Sequence, residues 1–330
     1  MQNKVINVLL LAWLINYLLA CSHVEPSVVA KNSYIDDQKY LSTPFDTIEL
    51  VNHLQQLSSD EFSGRKLGTQ GNKMARSYIL SALKRYNIPS FDQQYQHNFI
   101  HKSLLKDRAG QNIIALIEGS EFKQEYIVLT AHFDHLGIKA GNIYNGADDN
   151  ASGTAALLVL GKEIVQRPLR YSVILLFTDA EEANLLGSKA FVKDYANVLP
   201  SIKLNVNLDM IAGNKKTTSL HYITRGINSV LDDNKYQEFN NFQHQSSIRI
   251  VRGFNRVYDK AGRNRGRSGW LKASDHGVFY RNKVPFIYFG VGPHNNYHTK
   301  NDTFENVNLD FYIKASQTIF QQILVIDHLM

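Results

Sequence analysis

The sequence predicts an α/β fold, a three-layer sandwich around a central mixed, mostly parallel sheet. Three observations lead there. Apolar, β-branched runs alternate with longer segments of helical period, the pattern of strands joined by crossover helices. The run Val173-Ile174-Leu175-Leu176-Phe177 is apolar on both faces, as strands covered from both sides are. A length of 330 residues with 44% hydrophobic content suits one large core or two small ones.

Residues 1–20 read as an export signal. Lys4 is their only charge, and Val5 to Ala20 are mostly apolar, broken by Asn7 and Asn16. Such a stretch is short for a membrane span, which takes about 20 residues. Cys21, the one cysteine of the chain, closes Leu18-Leu19-Ala20-Cys21. That looks like a bacterial lipobox, whose thiol is acylated; the alternative is an ordinary secretory signal cut after Ala20 or slightly later. The expectation is an exported lipoprotein, lipidated at Cys21 and anchored in the outer membrane facing the periplasm, with Ser22 compatible with that sorting. A soluble periplasmic or secreted chain is the alternative. Several acyl chains make such an anchor stable. A lone cysteine leaves no disulfide within the chain, so the fold stands on its core. Residues 21–44 are polar and patternless and read as a tether, the alternative being an N-terminal segment packed on the domain; this leaves 45–330 as a single domain.

Within that domain, helices are expected at about 46–57 and 70–86. Strands follow at 112–119 and 125–132, a helix at 151–166, and a strand at 171–179. The pattern continues with a helix at 187–196, a strand at 203–210 and a helix at 227–240. A strand at 284–291 and a helix at 309–329 complete it. In the last helix Phe311, Ile313, Ala315, Ile319, Ile323 and Ile326 mark an apolar face.

The charge balance, 36 Lys and Arg against 30 Asp and Glu, gives a modest +6. It is no nucleic-acid signature, and nothing in the chain calls for an obligate protein partner. Basic residues do concentrate in Arg249, Arg252, Arg256, Lys260, Arg263, Arg265 and Arg267. This run reads either as a cleft wall holding carboxylates or as a solvated basic loop, facing water or anionic lipid.

Five short signatures carry the chemistry. They are His132 in AHFDHLG, Asp149 in GADDNASG, Glu182 in DAEEANLLGS, Asp209 in NLDM and His298 in YHTKNDT. Two imidazoles and three carboxylates suit two zinc-like ions if one carboxylate bridges them. Glu181, directly before Glu182, supplies the general base of a hydrolytic site. Because the two glutamates are adjacent, both reach the metals only from a turn. His132, the Glu181–Glu182 pair and Asp209 fall at the C-terminal ends of expected strands, where open α/β sheets bind ligands. Asp134, two residues after His132, is the expected partner of its second ring nitrogen. Asp275 and Asp302 are further supporting carboxylates, with His135 and His276 as candidates for the same work. His294 reads as a rim residue, and His53, His97 and His101 as solvent-facing or structural.

In the order and spacing of these signatures the chain resembles the di-zinc aminopeptidases of the bacterial leucyl aminopeptidase and aminopeptidase Y type. Glutaminyl cyclase, glutamate carboxypeptidase II and the transferrin receptor are more distant relatives of that group. The resemblance covers roughly residues 45–330, including SSDEFSGRKLGTQGNKMARSYI and the Ser274-Asp275-His276 triplet. It implies a zinc exopeptidase fold of phosphorylase/hydrolase-like type, two Zn²⁺ per chain and peptide substrates. Asp149 would bridge, His132 and Asp209 would complete one ion, and Glu182 and His298 the other. Glu181 would be the general base, and the Tyr297 hydroxyl would help stabilise the oxyanion. Other readings on this scaffold are a carboxypeptidase or another metal-dependent amidohydrolase, a glutaminyl cyclase, or a binding module without catalysis.

Overall fold

The computed structural model describes residues 35–102, 107–254, 269–271 and 273–330. The expected export signal, Cys21, and Arg256, Lys260, Arg263, Arg265 and Arg267 lie outside the described residues. Among the described residues of the expected 21–44 tether, Ile35 and Tyr40 are buried against the domain, as the alternative reading of a packed N-terminal segment has it. Asp36 caps a short helix α1 (Asp37–Leu41) through Gln38 N–H. Tyr40 is buried edge-on against Phe242, and Gln321 donates to the Leu41 carbonyl. A single aromatic and two apolar residues in a polar stretch thus suffice to dock it.

Helices α2 (Thr47–Leu57) and α3 (Gln70–Arg85) follow, capped by Asp46 and Thr69. The strands are β1 (Gln96–His101), β2 (Arg108–Ile117), β3 (Phe122–His132) and a small hairpin of β4 (Gly137–Lys139) with β5 (Asn142–Tyr144). Then come α4 (Gly153–Gln166), β6 (Tyr171–Thr178), α5 (Leu186–Asp194), β7 (Ile202–Leu208) and β8 (Ser219–Arg225). Helix α6 (Asp233–Gln243), β9 (Arg249–Arg252), α7 (His276–Arg281), β10 (Phe286–Gly290) and α8 (Leu309–Leu329) complete the described elements.

The main sheet runs β1-β2-β6-β3-β7-β10-β8-β9. β6, β3, β7 and β10 are mutually parallel, as are β8 and β9, while β1–β2, β2–β6 and β10–β8 pair antiparallel. Alternate residues of one strand serve opposite layers. In β6, Leu175 and Phe177 join α4 residues such as Leu157 and α8 residues such as Ile319. Ile174 and Leu176 instead meet Phe191 of α5 and Val278 and Phe279 of α7. Both faces are covered, which is why β6 is buried throughout. Truncating a fully buried Phe177 to alanine would cost about 3–5 kcal/mol.

Some elements differ from the sequence expectation for identifiable reasons. β1 (QHNFIH), β8 (SLHYITR) and β9 (RIVR) lie toward the sheet edges, where exposed polar residues dilute the apolar pattern. The helix expected from 227 begins at Asp233, because the Asp232 side chain accepts Lys235 N–H and caps it there. Arg249 and Arg252, the described part of the basic run, belong to edge strand β9.

Strand order fixes where ligands go. From β3 the chain crosses to β6 on one side, then returns to β7 on the other. Such a switch opens a crevice at the carboxyl ends of the strands. His132 ends β3, residues 179–182 follow β6, and Asp209 follows β7.

Candidate metal centre

The segment after β3 is held from behind by Arg65. This fully buried guanidinium donates only to backbone carbonyls: Phe133 (2.8 Å), Leu57 (2.5 Å), Asn145 (2.6 Å) and Gly146 (2.9 Å). It thereby joins the His132 segment to the start of the GADDNASG loop. Gly146 has φ +58°, and a Cβ there would lie 2.2 Å from the Asp149 carbonyl and 2.5 Å from the His135 ring. Only glycine lets these pack so closely.

Three side chains shape the loop around Asp149. The Asp302 carboxylate accepts the N–H groups of Asp148 (2.9 Å) and Asp149 (3.0 Å). Asn150 donates to the Leu208 carbonyl and accepts from Gly153 and Met210 N–H. Asp148 turns away from Asp149 and accepts Ala212 and Gly213 N–H at 2.7 and 2.8 Å. The Asp149 carboxylate is left facing the crevice.

The glutamate pair sits in the expected turn, with Ala180, Asn184 and Leu185 in left-handed conformations. Asp134 accepts Glu181 N–H at 2.9 Å and Glu182 N–H at 3.3 Å. It also stands at the second ring nitrogen of His132, where it was expected, through its backbone carbonyl. His132 Nδ1 lies 3.2 Å from the Asp134 backbone carbonyl and 3.6 Å from its carboxylate. The carboxylate is engaged by the turn instead. Asp275 accepts from Thr178 Oγ1 at 2.5 Å, below the crevice floor. His276 lies apart from the centre, bonded to the Trp270 carbonyl at 2.7 Å.

Two clusters result. His132 Nε2 lies 3.4 Å from both Asp149 Oδ1 and Asp209 Oδ1. His298 Nε2 lies 2.9 Å from both Asp149 Oδ2 and Glu182 Oε1. Asp149 stands between them and presents one oxygen to each. His135, read from sequence only as a supporting candidate, is buried with Nδ1 3.3 Å from Glu182 Oε1 and 3.6 Å from Asp149 Oδ2. Neither of its ring nitrogens makes a hydrogen bond. It joins Asp149 and Glu182 in one metal-competent group, as His132, Asp149 and Asp209 form another.

Electrostatics reflect that crowding. Burial pushes the Glu181 carboxyl well above its ordinary range; nearby His132 opposes this, and Asp209 and Glu182 reinforce it. Burial works against a charged His298, yet its contacts with Asp149 and Glu182 raise it to about 9. His132 is likewise raised against its burial, by Glu181 and Asp209. Burial and Asp149 hold the Tyr297 hydroxyl protonated, and its ring stacks on His298 at 3.8 Å between centroids. Mixed nitrogen and carboxylate donors, buried or half-buried in two groups that share Asp149, fit zinc. His132, Asp149 and Asp209 would hold one ion, and Asp149, Glu182 and His298 the other.

Sequence reasoning missed two contributors. Arg65 lies in the SGRKLG stretch, where its lack of a carboxylate partner gives no signal. His294, expected at the rim, is largely buried and donates from Nε2 to Asp148 Oδ2 at 2.8 Å.

The sequence model of peptidase family M28 matches residues 112–323. A glutamate carboxypeptidase 2 homolog of Caenorhabditis briggsae is 32% identical over 68% of this chain and 28% of its own. Leucine aminopeptidase 2 of Trichophyton rubrum is 26% identical over 62% of this chain and 42% of its own. The chain therefore spans less than half the length of these curated relatives. An aminopeptidase from Aneurinibacillus sp. strain AM-1 superimposes with a TM-score of 0.65 at 15% identity, covering 87% of this chain and 95% of that one.

Proposed function

Because the chain belongs to peptidase family M28, we propose that it is a zinc-dependent exopeptidase that removes residues from free peptide N-termini. The observation that carries this reading is the Asp149 carboxylate set between two imidazole–carboxylate clusters, with Glu181 beside them. Two zinc ions, when bound, would polarise the scissile carbonyl and acidify a water.

The residues supply the rest. Glu181, not among the ligands and with a raised proton affinity, takes the proton of the attacking water. It then delivers that proton to the departing amine. The turn pinned by Asp134 keeps Glu181 and Glu182 aimed at the same crevice. Tyr297, held protonated, donates to the oxygen that gains charge at the carbonyl. The substrate α-amine, a cation, finds Glu181 and Asp209 as its nearest acidic groups.

N-acetylation of a cleavable peptide tests the reading. Acetylation should abolish hydrolysis, since the cation is lost. Equal rates on free and blocked peptides would sink the aminopeptidase assignment. The similarity to a glutamate carboxypeptidase homolog then favours a carboxypeptidase. The lipobox-like Leu18–Cys21 further supports export and lipid anchoring of this activity. A mature chain whose intact mass carries no diacylglyceryl group on Cys21 would reduce it to a soluble exported enzyme.

A further inference from the structure

The loop after β10 carries Tyr297 and His298, and His298 has φ +56°, the left-handed region that a bulky side chain rarely adopts. Such a conformation persists only where neighbouring structure over-determines it. One anchor is plain: on the C-terminal side, Asp302 is bonded to the Asp148 and Asp149 N–H groups, and its carbonyl accepts Ala147 N–H at 3.1 Å. The other anchor is His294. Its Nε2 donates to Asp148, its Nδ1 accepts Asn296 N–H at 3.2 Å, and its carbonyl accepts Tyr297 N–H at 2.9 Å. Both ring nitrogens are used with a single proton, so the imidazole is fixed as its Nε2–H tautomer. Asp148, completely buried, simultaneously binds Ala212 and Gly213 just beyond Asp209.

We infer that His294 and Asp148 form a positioning clamp that sets the His298 loop against the loops of Asp149 and Asp209. The clamp bonds none of the donor atoms and acts through His298. Its link to zinc rests on the peptidase reading above, whereas the clamp itself does not. Truncating His294 frees the loop on one side, and His298 relaxes toward an unstrained backbone away from Glu182. The ion shared by Glu182 and His298 should then be held more weakly than the one shared by His132 and Asp209.

Stepwise zinc titration of purified wild type, His294→Ala and His294→Gln tests this, with hydrogen exchange of residues 291–303 followed in the metal-free proteins. For His294→Ala we expect the weaker zinc step to lose about 10–100-fold in affinity, the range for residues that orient ligands. The other step should stay within about threefold. Exchange across 296–299 should quicken severalfold. A glutamine amide offers both a donor NH₂ and an acceptor oxygen, so His294→Gln should recover most of both effects. Equal weakening of both zinc steps, or unchanged exchange in His294→Ala, would overturn the clamp. A wild-type chain that binds no zinc would remove the peptidase reading, yet the exchange comparison would still decide the clamp.

Discussion

The Asp134 carboxylate accepts the backbone N–H of Glu181 at 2.9 Å, so a residue two positions from one metal-ligating candidate fixes the turn that presents the proposed base. The base is thereby oriented through its backbone, leaving its side chain free to exchange protons. Glu181→Gln preserves that backbone bond and the size of the side chain but removes proton transfer. Zinc content should stay at the wild-type level while turnover falls by at least about 10²–10⁴-fold. Elemental analysis alongside kcat decides it; a variant with near wild-type kcat would refute the role.

Metal uptake should be strongly proton-coupled. His298 is raised to about 9 and His132 is raised well above the usual imidazole value in the metal-free protein. Zinc takes only the neutral ring. Near pH 7 His298 must therefore lose a proton to bind metal, and apparent affinity should climb as pH rises toward about 9. Calorimetry in buffers of different ionisation enthalpy would report the protons released per zinc. Release of none at pH 7 would contradict this account.

Arg65→Met should uncouple the His132 segment from the Asp149 loop. The four carbonyls served by Arg65 are buried, and leaving such groups unsatisfied costs about 1–3 kcal/mol each where no water replaces the donor. We expect a lower unfolding midpoint and loss of zinc together. Arg65→Lys should be nearly as damaging, since one ammonium cannot reproduce the fork. A folded Arg65→Met protein with unchanged zinc affinity would show that the two loops hold themselves.

How far the sequence reveals this centre depends on the kind of contact. His132, Asp149, Glu182, Asp209 and His298 were legible because each lies in a short signature and the apolar runs place three of the segments at strand ends. The strands β3, β6 and β10 were legible because burial on both faces leaves nearly continuous apolar runs, and β7 because its leucines and valine alternate with polar residues. Strands β8 and β9 were not: half of edge strand β9 is exposed arginine, and β8 mixes serine, histidine, threonine and arginine with its apolar residues. Contacts between distant segments left no local trace. The His294–Asp148 bond spans 146 positions, and nothing near His294 distinguishes it from a surface histidine. Arg65 was hidden because its partners are backbone carbonyls, which any sequence supplies.

Two histidines outside the centre should make stability fall in mild acid. His53 is buried between the hydroxyls of Tyr78 and Tyr86, each 2.7 Å from a ring nitrogen, and burial depresses it to about 4. Burial likewise depresses His276 to about 4. Unfolded, both titrate near 6.5. Above that pH neither state holds the proton, and their contribution to stability is fully present. As pH falls from 6.5 toward 4 the unfolded chain takes up protons that the fold refuses, and stability drops. Each group accounts for roughly 3 kcal/mol across that window, at 1.36 kcal/mol per unit. Urea unfolding between pH 7 and 4 should show a slope that His53→Gln reduces by about one proton relative to wild type, whatever its effect at pH 7. An unchanged slope would mean that His53 is protonated within the fold and that its tyrosine partners accept the charge.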